Sequence, residues 1–175
     1  MPDPNQVLAA SRRSLERLPF VLVPLLEGLE PLTWRTRPAE GRWAPVEVVC
    51  HLRDEETEDF GARVRAVVEG QTSFAPIDPV RWVTDRRYLE DDPQLCLADL
   101  LARRRTSLLF LATVSPERLE RSIERPGLGS LSGLDLLVAW AAHDLLHLRQ
   151  IAGTLARIEA RRWAPLRADY AGTIP

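Results

Sequence analysis

An apolar run, "LDLLVAWAAHDLLHLRQIAGTLARIEAR", occupies residues 134–161. Its apolar residues recur at intervals of three and four, which is the period of a helix with one buried face. Within it, "HDLLH" places His143 and His147 four residues apart, so both side chains project from the same side of the predicted helix. We therefore predict a long helix that carries two histidines on one face.

Two more helices are predicted upstream. Leucines recur at three, four or seven from residue 6 to residue 29, and the period resumes after Pro19, so we expect a kink there and not an end. A second helix is predicted over residues 46–69, because Pro45 suits its first turn and Gly70 its C-terminal cap.

A third helix is predicted over residues 94–114, with its arginine triplet at 103–105 on the solvated surface. No segment alternates convincingly with the period of a strand, and residues 125–135, rich in glycine, read as a plain connection. Four long amphipathic helices predict an all-α four-helix bundle with long connections.

Length and composition predict one domain over residues 1–175. The formal net charge of −2 gives no overall field for nucleic acid or for an anionic membrane. No run approaches the roughly 20 apolar residues of a membrane helix, and no leader pattern opens the chain, so we expect a cytoplasmic protein. Cys50 and Cys96 lie far apart in the sequence, and we expect two buried hydrophobes and no disulfide framework.

The third and last histidine, His51, lies near the start of the second predicted helix. Three imidazoles from two helices would offer zinc or nickel three neutral nitrogens and leave a fourth position open, as in catalytic sites. Glu55 and Glu58 follow His51 on the same side of the helix, at a spacing that suits a carboxylate partner of a ligand. The alternative is that the histidines are ordinary core or surface residues, because such pairs arise in helices by accident.

Two segments resemble a known family. "GRWAPVEVVCHLRDEE" at 41–56 and "AAHDLLHLRQI" at 141–151 are similar to the motifs that carry the histidines in the DinB-like superfamily. The resemblance extends from about Leu8 almost to the end of the chain. It implies a four-helix bundle with a three-histidine metal site, which places His51, His143 and His147 as the metal ligands. Some members of the family are thiol-dependent transferases or isomerases, and others are treated as hydrolases.

The leading hypothesis is a metal-dependent enzyme that acts on a small-molecule substrate. Zinc or nickel would activate a low-molecular-weight thiol in a transferase, or water in a hydrolase, with Glu55 or Glu58 relaying the proton. The alternative is a bundle without turnover that holds a metal or a small ligand.

The connection at 71–93 has no clean helical or strand period and carries Trp82. Long connections in compact domains often form the walls of sites, so we expect this one to close over the metal end of the bundle, with Trp82 lining a substrate pocket. The alternative is an outer hydrophobic patch or a homodimer surface.

Overall fold

The computed structural model describes residues 2–125, 127 and 129–173. The helices are α1 (Pro4–Leu26), α2 (Pro31–Arg35), α3 (Pro45–Glu58), α4 (Phe60–Glu69), α5 (Pro79–Asp85), α6 (Pro93–Leu111), α7 (Pro116–Leu119) and α8 (Gly133–Arg162). Strands β1 (Ser122–Arg125) and β2 (Gly129–Ser132) form an antiparallel hairpin. The predicted all-α bundle is confirmed, with α1, α3 together with α4, α6, and α8 as its four long members. Within the described residues, no helix is long and apolar enough to cross a membrane.

Helix ends are fixed by the residues that the sequence supplies there. At the start of α8, the Ser132 hydroxyl accepts from the Asp135 amide at 3.1 Å, and the Asp135 carboxylate accepts from the Ser132 amide at 2.8 Å. At the start of α3, buried Glu47 accepts from the Ala44 amide at 2.8 Å and from Arg37 Nε at 2.9 Å. These contacts fix the starts of the two helices that carry the histidines.

The second predicted helix is divided. Asp59, with φ −124° and ψ −100°, separates α3 from α4, so the prediction of one helix over 46–69 is wrong. A Cβ at Gly61 would lie 1.8 Å from the carbonyl oxygen of Glu56, so the chain approaches itself here as only glycine permits. Gly61 therefore marks the break in the predicted helix.

The connections hold more structure than the sequence predicted. Residues 71–93 include α5 and a 3-10 turn at Tyr88–Glu90, and the stretch taken as a plain connection at 125–135 contributes to the β1–β2 hairpin. Each strand has only four residues, which is too short for an alternating pattern to stand out.

Arg104 joins all four long members of the bundle. It lies on α6 and contacts Glu56 of α3 at 2.6 Å, Asp144 of α8 at 2.6 Å and the Leu15 carbonyl oxygen of α1 at 2.9 Å. Its side chain is 1% exposed, so the prediction of a solvated arginine triplet is wrong at this position.

Pro19 explains why the Leu15 carbonyl is available. The helix runs through Pro19, as predicted, but proline has no N–H to donate to the carbonyl four residues earlier. Arg104 Nη1 supplies the missing donor. The contact between α1 and α6 thus depends on both the proline in α1 and the arginine in α6.

The two cysteines meet between α3 and α6. Both are buried, as predicted, but their Sγ atoms lie only 2.8 Å apart, which the sequence did not indicate. Asp91 Oδ2 lies 3.5 Å from Cys50 Sγ and 3.4 Å from Cys96 Sγ, and Arg53 Nη1 lies 3.0 Å from Cys96 Sγ.

Candidate metal centre

Helices α3 and α8 bring four side chains together at one place in the bundle. His51 and Glu55 lie one turn apart on α3, and His143 and His147 lie one turn apart on α8. One ligand atom from each residue lies within 4.8 Å of the others. Imidazole nitrogens with a carboxylate oxygen are a donor set that divalent transition metals accept.

The contacts inside this group leave polar atoms without partners. His143 Nε2 and His147 Nε2 lie 3.0 Å apart, and His51 Nε2 lies 3.2 Å from Glu55 Oε1. His143 Nδ1 approaches Glu55 Oε2 to 3.1 Å, but without the alignment of a hydrogen bond, so both atoms are buried and unsatisfied. The Nδ1 atom of His51 is in the same state. Buried polar atoms normally have partners, so the residues present fit a bound cation.

Burial keeps the group neutral. It lowers the pKa of His51 and of His143 to about 3, with the neighbouring histidines adding to the effect, and it also lowers the pKa of His147. Burial, together with the acidic neighbours Asp59, Asp144 and Glu56, raises the pKa of Glu55 to about 9. At neutral pH the imidazoles are therefore in the uncharged form that binds metals.

Aromatic and amide side chains orient the histidines. Gln150 Oε1 lies 2.8 Å from His147 Nδ1, which suits an imidazole whose Nε2 is left free as a ligand. The Trp43 ring centre lies 4.9 Å from that of His51, and the Phe60 ring centre lies 5.0 Å from that of His143. Sequence reasoning assigned no role to these three residues, although Trp43 and Gln150 fall inside the two quoted motifs.

Glu58 lies outside the group. Its carboxylate forms two contacts of 2.7 Å with Arg86, which also contacts Asp54 at 2.6 Å. Seven residues return to the same side of a helix but also advance about 10 Å along its axis. Glu58 therefore faces the α5 connection, and only Glu55 of the two predicted carboxylates touches the histidines.

The connection at 71–93 approaches the centre through α5. A cavity of about 380 Å³ lies between α5 and the loop before α3, and Trp43 forms part of its wall. Trp82 is absent from the residues that line this cavity; it packs against the core, with the Arg86 guanidinium 4.3 Å from its ring centre. The segment closes near Trp43, but not with the residue that the sequence suggested.

Comparison with known proteins places the chain in a family. Residues 14–151 match the model of the DinB superfamily, which covers most of the chain. The protein therefore belongs to the DinB superfamily, as the two histidine motifs predicted.

The relatives of the chain include one protein matched by sequence and two matched by structure. The chain is 28% identical over 144 residues to the Oceanobacillus iheyensis protein named "Putative metal-dependent hydrolase OB0782", covering 82% of this chain and 83% of that one. The structure of YfiT from Bacillus subtilis, described as "a probable metal-dependent hydrolase with an unusual four-helix bundle topology", has a TM-score of 0.77 at 21% identity over 87% of each chain. TT2238, described as a four-helix bundle protein, has a TM-score of 0.60 at 23% identity over 83% of this chain and 98% of that one.

Proposed function

We propose that this protein is a metal-dependent hydrolase of small molecules, in which His51, His143 and His147 hold zinc or nickel. The observation that carries the proposal is the convergence of three neutral imidazoles and one carboxyl group within 4.8 Å. The names of the relatives from Oceanobacillus iheyensis and Bacillus subtilis support hydrolysis over other uses of such a site.

A divalent metal held by three imidazoles supplies Lewis acidity, which lowers the pKa of a water molecule towards neutrality and polarises a carbonyl group. The residues of the chain have separate tasks. His147 is oriented through its Nδ1 by Gln150, and His143 presents Nδ1 towards Glu55 Oε2. The rings of Trp43 and Phe60 pack against the histidines and keep bulk water from that side of the site.

Glu55 is the residue that we assign to proton transfer. It is the carboxyl group nearest to two of the three histidines, and burial raises its pKa to about 9. A cation bound beside Glu55 would lower this pKa again, towards the working pH, so that Oε1 or Oε2 can take and return a proton during hydrolysis. The His143 side chain is 22% exposed and that of His51 only 5%, so a small substrate would enter beside His143.

Metal content tests the site directly. Elemental mass spectrometry of the purified wild type should give close to one zinc or nickel ion per chain, and His147→Ala should lose it. Glu55→Gln should lower metal affinity or activity by about 10- to 100-fold. The matched change Glu58→Gln, three residues away and paired with Arg86, should leave both unchanged. A folded wild type that cannot be loaded with either metal would contradict the proposal.

The nucleophile is tested in the same protein after substitution with cobalt(II), whose spectrum reports the type of ligand. Hydrolysis of an ester and amide panel by wild type, and not by His147→Ala, would support water as the nucleophile. A thiolate charge-transfer band that saturates with bacillithiol, mycothiol or glutathione would instead assign the site to thiol transfer. If neither assay gives a signal, the protein would be assigned as a bundle that binds a metal or a ligand without turnover.

A further inference from the structure

A cavity with a positive lining extends along α8 from the candidate metal centre. It has a volume of about 440 Å³ and lies between the loop before α3 and the second half of α8. Arg42, Arg149 and Arg157 line it, and none of its lining residues is acidic. Pockets of this size hold small molecules.

The three arginines have no partner of their own. Among the described residues, none of the three side chains forms an ion pair, a hydrogen bond or a ring contact, whereas most other arginine side chains contact a carboxylate, a carbonyl oxygen or an aromatic ring. Among the other arginines whose side chains the structure describes, only Arg13, Arg17 and Arg105 also lack such a contact, and they line none of the cavities described here. Three unpaired guanidinium groups around one cavity repel one another, and a bound anion would relieve that repulsion.

Helix α8 leaves room between two of these arginines. Arg149, Gly153 and Arg157 follow one another at intervals of four, so they lie along one stripe of the helix. Glycine is unfavourable inside a helix, but here Gly153, which is buried, lines the cavity between the two long cations without a side chain of its own. Thr154 and Gln150 also line the cavity and offer hydrogen-bonding groups.

The cavity and the candidate metal centre share two residues. Gln150 lines the cavity and contacts His147 Nδ1, and Trp43 lines it while its ring centre lies 6.3 Å from that of His147. A molecule in the cavity therefore contacts two of the side chains that orient the histidines.

We propose that this cavity binds the oxyanion end of the substrate, and that the substrate is a small molecule carrying a phosphate group or more than one carboxylate. This assignment deepens the proposed function and rests on it for the direction in which the reactive end points. Guanidinium groups bind both kinds of oxyanion through paired hydrogen bonds, and two or three of them favour a multiply charged group over a single carboxylate.

Calorimetric titration at low ionic strength tests the cavity with inorganic phosphate, citrate, malonate and acetate as separate probes. Phosphate or the di- and tricarboxylates should bind more tightly than acetate, and the stronger of the two classes identifies the oxyanion. Arg149→Gln and Arg157→Gln should each weaken that binding at least tenfold, whereas Arg105→Gln removes an equal charge from α6 and should leave it unchanged. Equal binding by all four proteins, or none by wild type, would overturn the proposal.

A second variant tests the shape of the cavity without changing its charge. Gly153→Leu fills the space between Arg149 and Arg157 without altering any charge, and it should also abolish binding while the circular dichroism spectrum stays that of wild type. Unchanged binding in Gly153→Leu would remove the cavity as the site.

The titration is repeated after removal of metal by a chelator, and metal content is measured for every variant. Binding that survives chelation and depends on Arg149 supports the cavity even if the metal proposal fails. Full metal content with hydrolysis of neutral esters, and no dependence of anion binding on the arginines, would reject this inference and leave the metal proposal standing.

Discussion

Glu55 lies within 3.2 Å of two imidazoles yet forms no ion pair with either. The reason is that burial favours the uncharged form of both the acid and the bases, and the nearby carboxyl groups also oppose a charge on Glu55. The distance alone suggests a salt bridge, but the shifts in pKa indicate a neutral group that becomes charged only when a cation binds.

The pH dependence of the metal-free protein should reveal this neutral state. The folded pKa of Glu55, about 9, exceeds the ordinary value of 4.5, so between these values the folded chain holds a proton that the unfolded chain has lost. Stability therefore falls as pH rises through this range. The histidines act in the opposite direction below 6.5, where the unfolded chain binds protons that the folded chain does not. The melting temperature should thus decline on both sides of a mildly acidic maximum.

Above pH 7, the change of the melting temperature with pH depends mainly on Glu55. Above 6.5 the unfolded histidines have lost their protons, and Asp144, with a pKa raised to about 6, is ionised as well. In chelator, Glu55→Gln should show a nearly flat melting temperature from pH 7 to 8.5, while wild type and Glu58→Gln decline. Parallel curves for all three proteins would contradict the neutral assignment.

Arg104 is a second residue whose role depends on its surroundings, because its guanidinium neutralises two buried acids. Arg104→Met keeps the bulk of the side chain but leaves Glu56 and Asp144 buried without their cation. Removing one partner of a buried ion pair costs about 3–5 kcal/mol, so denaturant unfolding should show a loss of that order. The control Arg105→Met, next to it but exposed, should change stability by less than about 0.5 kcal/mol. Equal losses in the two variants would argue against the buried network.

The sequence could not distinguish Arg104 from its neighbours. Three consecutive arginines spread around a helix, and which one faces inwards depends on acids 48 and 40 residues away in the chain. The histidines were easier to assign, because two of them share one helical face and the third stands in a recognisable motif.

At the scale of elements, local patterns predicted the long helices well and their interruptions poorly. The leucine spacing of α1 and the apolar run of α8 are properties of one segment, and both helices appear close to the predicted limits. The break at Asp59 arises from a close approach of Gly61 to Glu56, and the hairpin from pairing between two four-residue strands. Such features depend on tertiary contacts that a periodic pattern does not contain.

The close approach of Cys50 and Cys96 between α3 and α6 can be tested by forming a disulfide between them. A low-molecular-weight disulfide such as oxidised glutathione should accept two electrons from Cys50 and Cys96, whose thiols lose two protons and join in one disulfide. Mass spectrometry should then show a chain lighter by two hydrogen atoms. The bridge would close a loop of 46 residues and stabilise the protein by up to about 4 kcal/mol on chain-entropy grounds.

Cys96→Ser serves as the control for this bridge. It should take up one glutathione at most and gain no stability after oxidation. A wild type that forms only mixed disulfides with glutathione would show that the two sulfur atoms do not meet in solution.

At the scale of the whole molecule, the formal net charge of −2 conceals an uneven distribution. Acids and arginines cancel inside the bundle, as around Arg104 and Asp54, while the cavity beside the histidines keeps three arginines without an acid. The net charge gave no reason to expect a nucleic-acid surface, but it carries no information about a single pocket.

Pro19 couples the stability of α1 to that of the bundle, because the carbonyl oxygen that it leaves free is bound by Arg104 of another helix. A proline inside a helix normally costs about 3 kcal/mol relative to alanine. The control is Pro24→Ala in the same helix, because the carbonyl that Pro24 leaves free belongs to exposed Phe20, where water can serve. Pro24→Ala should therefore stabilise the protein by a large part of that amount, as measured by denaturant unfolding.

Pro19→Ala should gain much less, since the restored amide competes with Arg104 for the Leu15 carbonyl. A double-mutant cycle with Arg104→Met should show a coupling energy for Pro19 and none for Pro24; additive effects at both prolines would contradict this reading. By withholding one backbone donor on the first helix, Pro19 gives the third long helix an acceptor. Pro19→Ala would favour α1 as an isolated helix. It would thus weaken one contact of Arg104, the only side chain described here that links all four long helices.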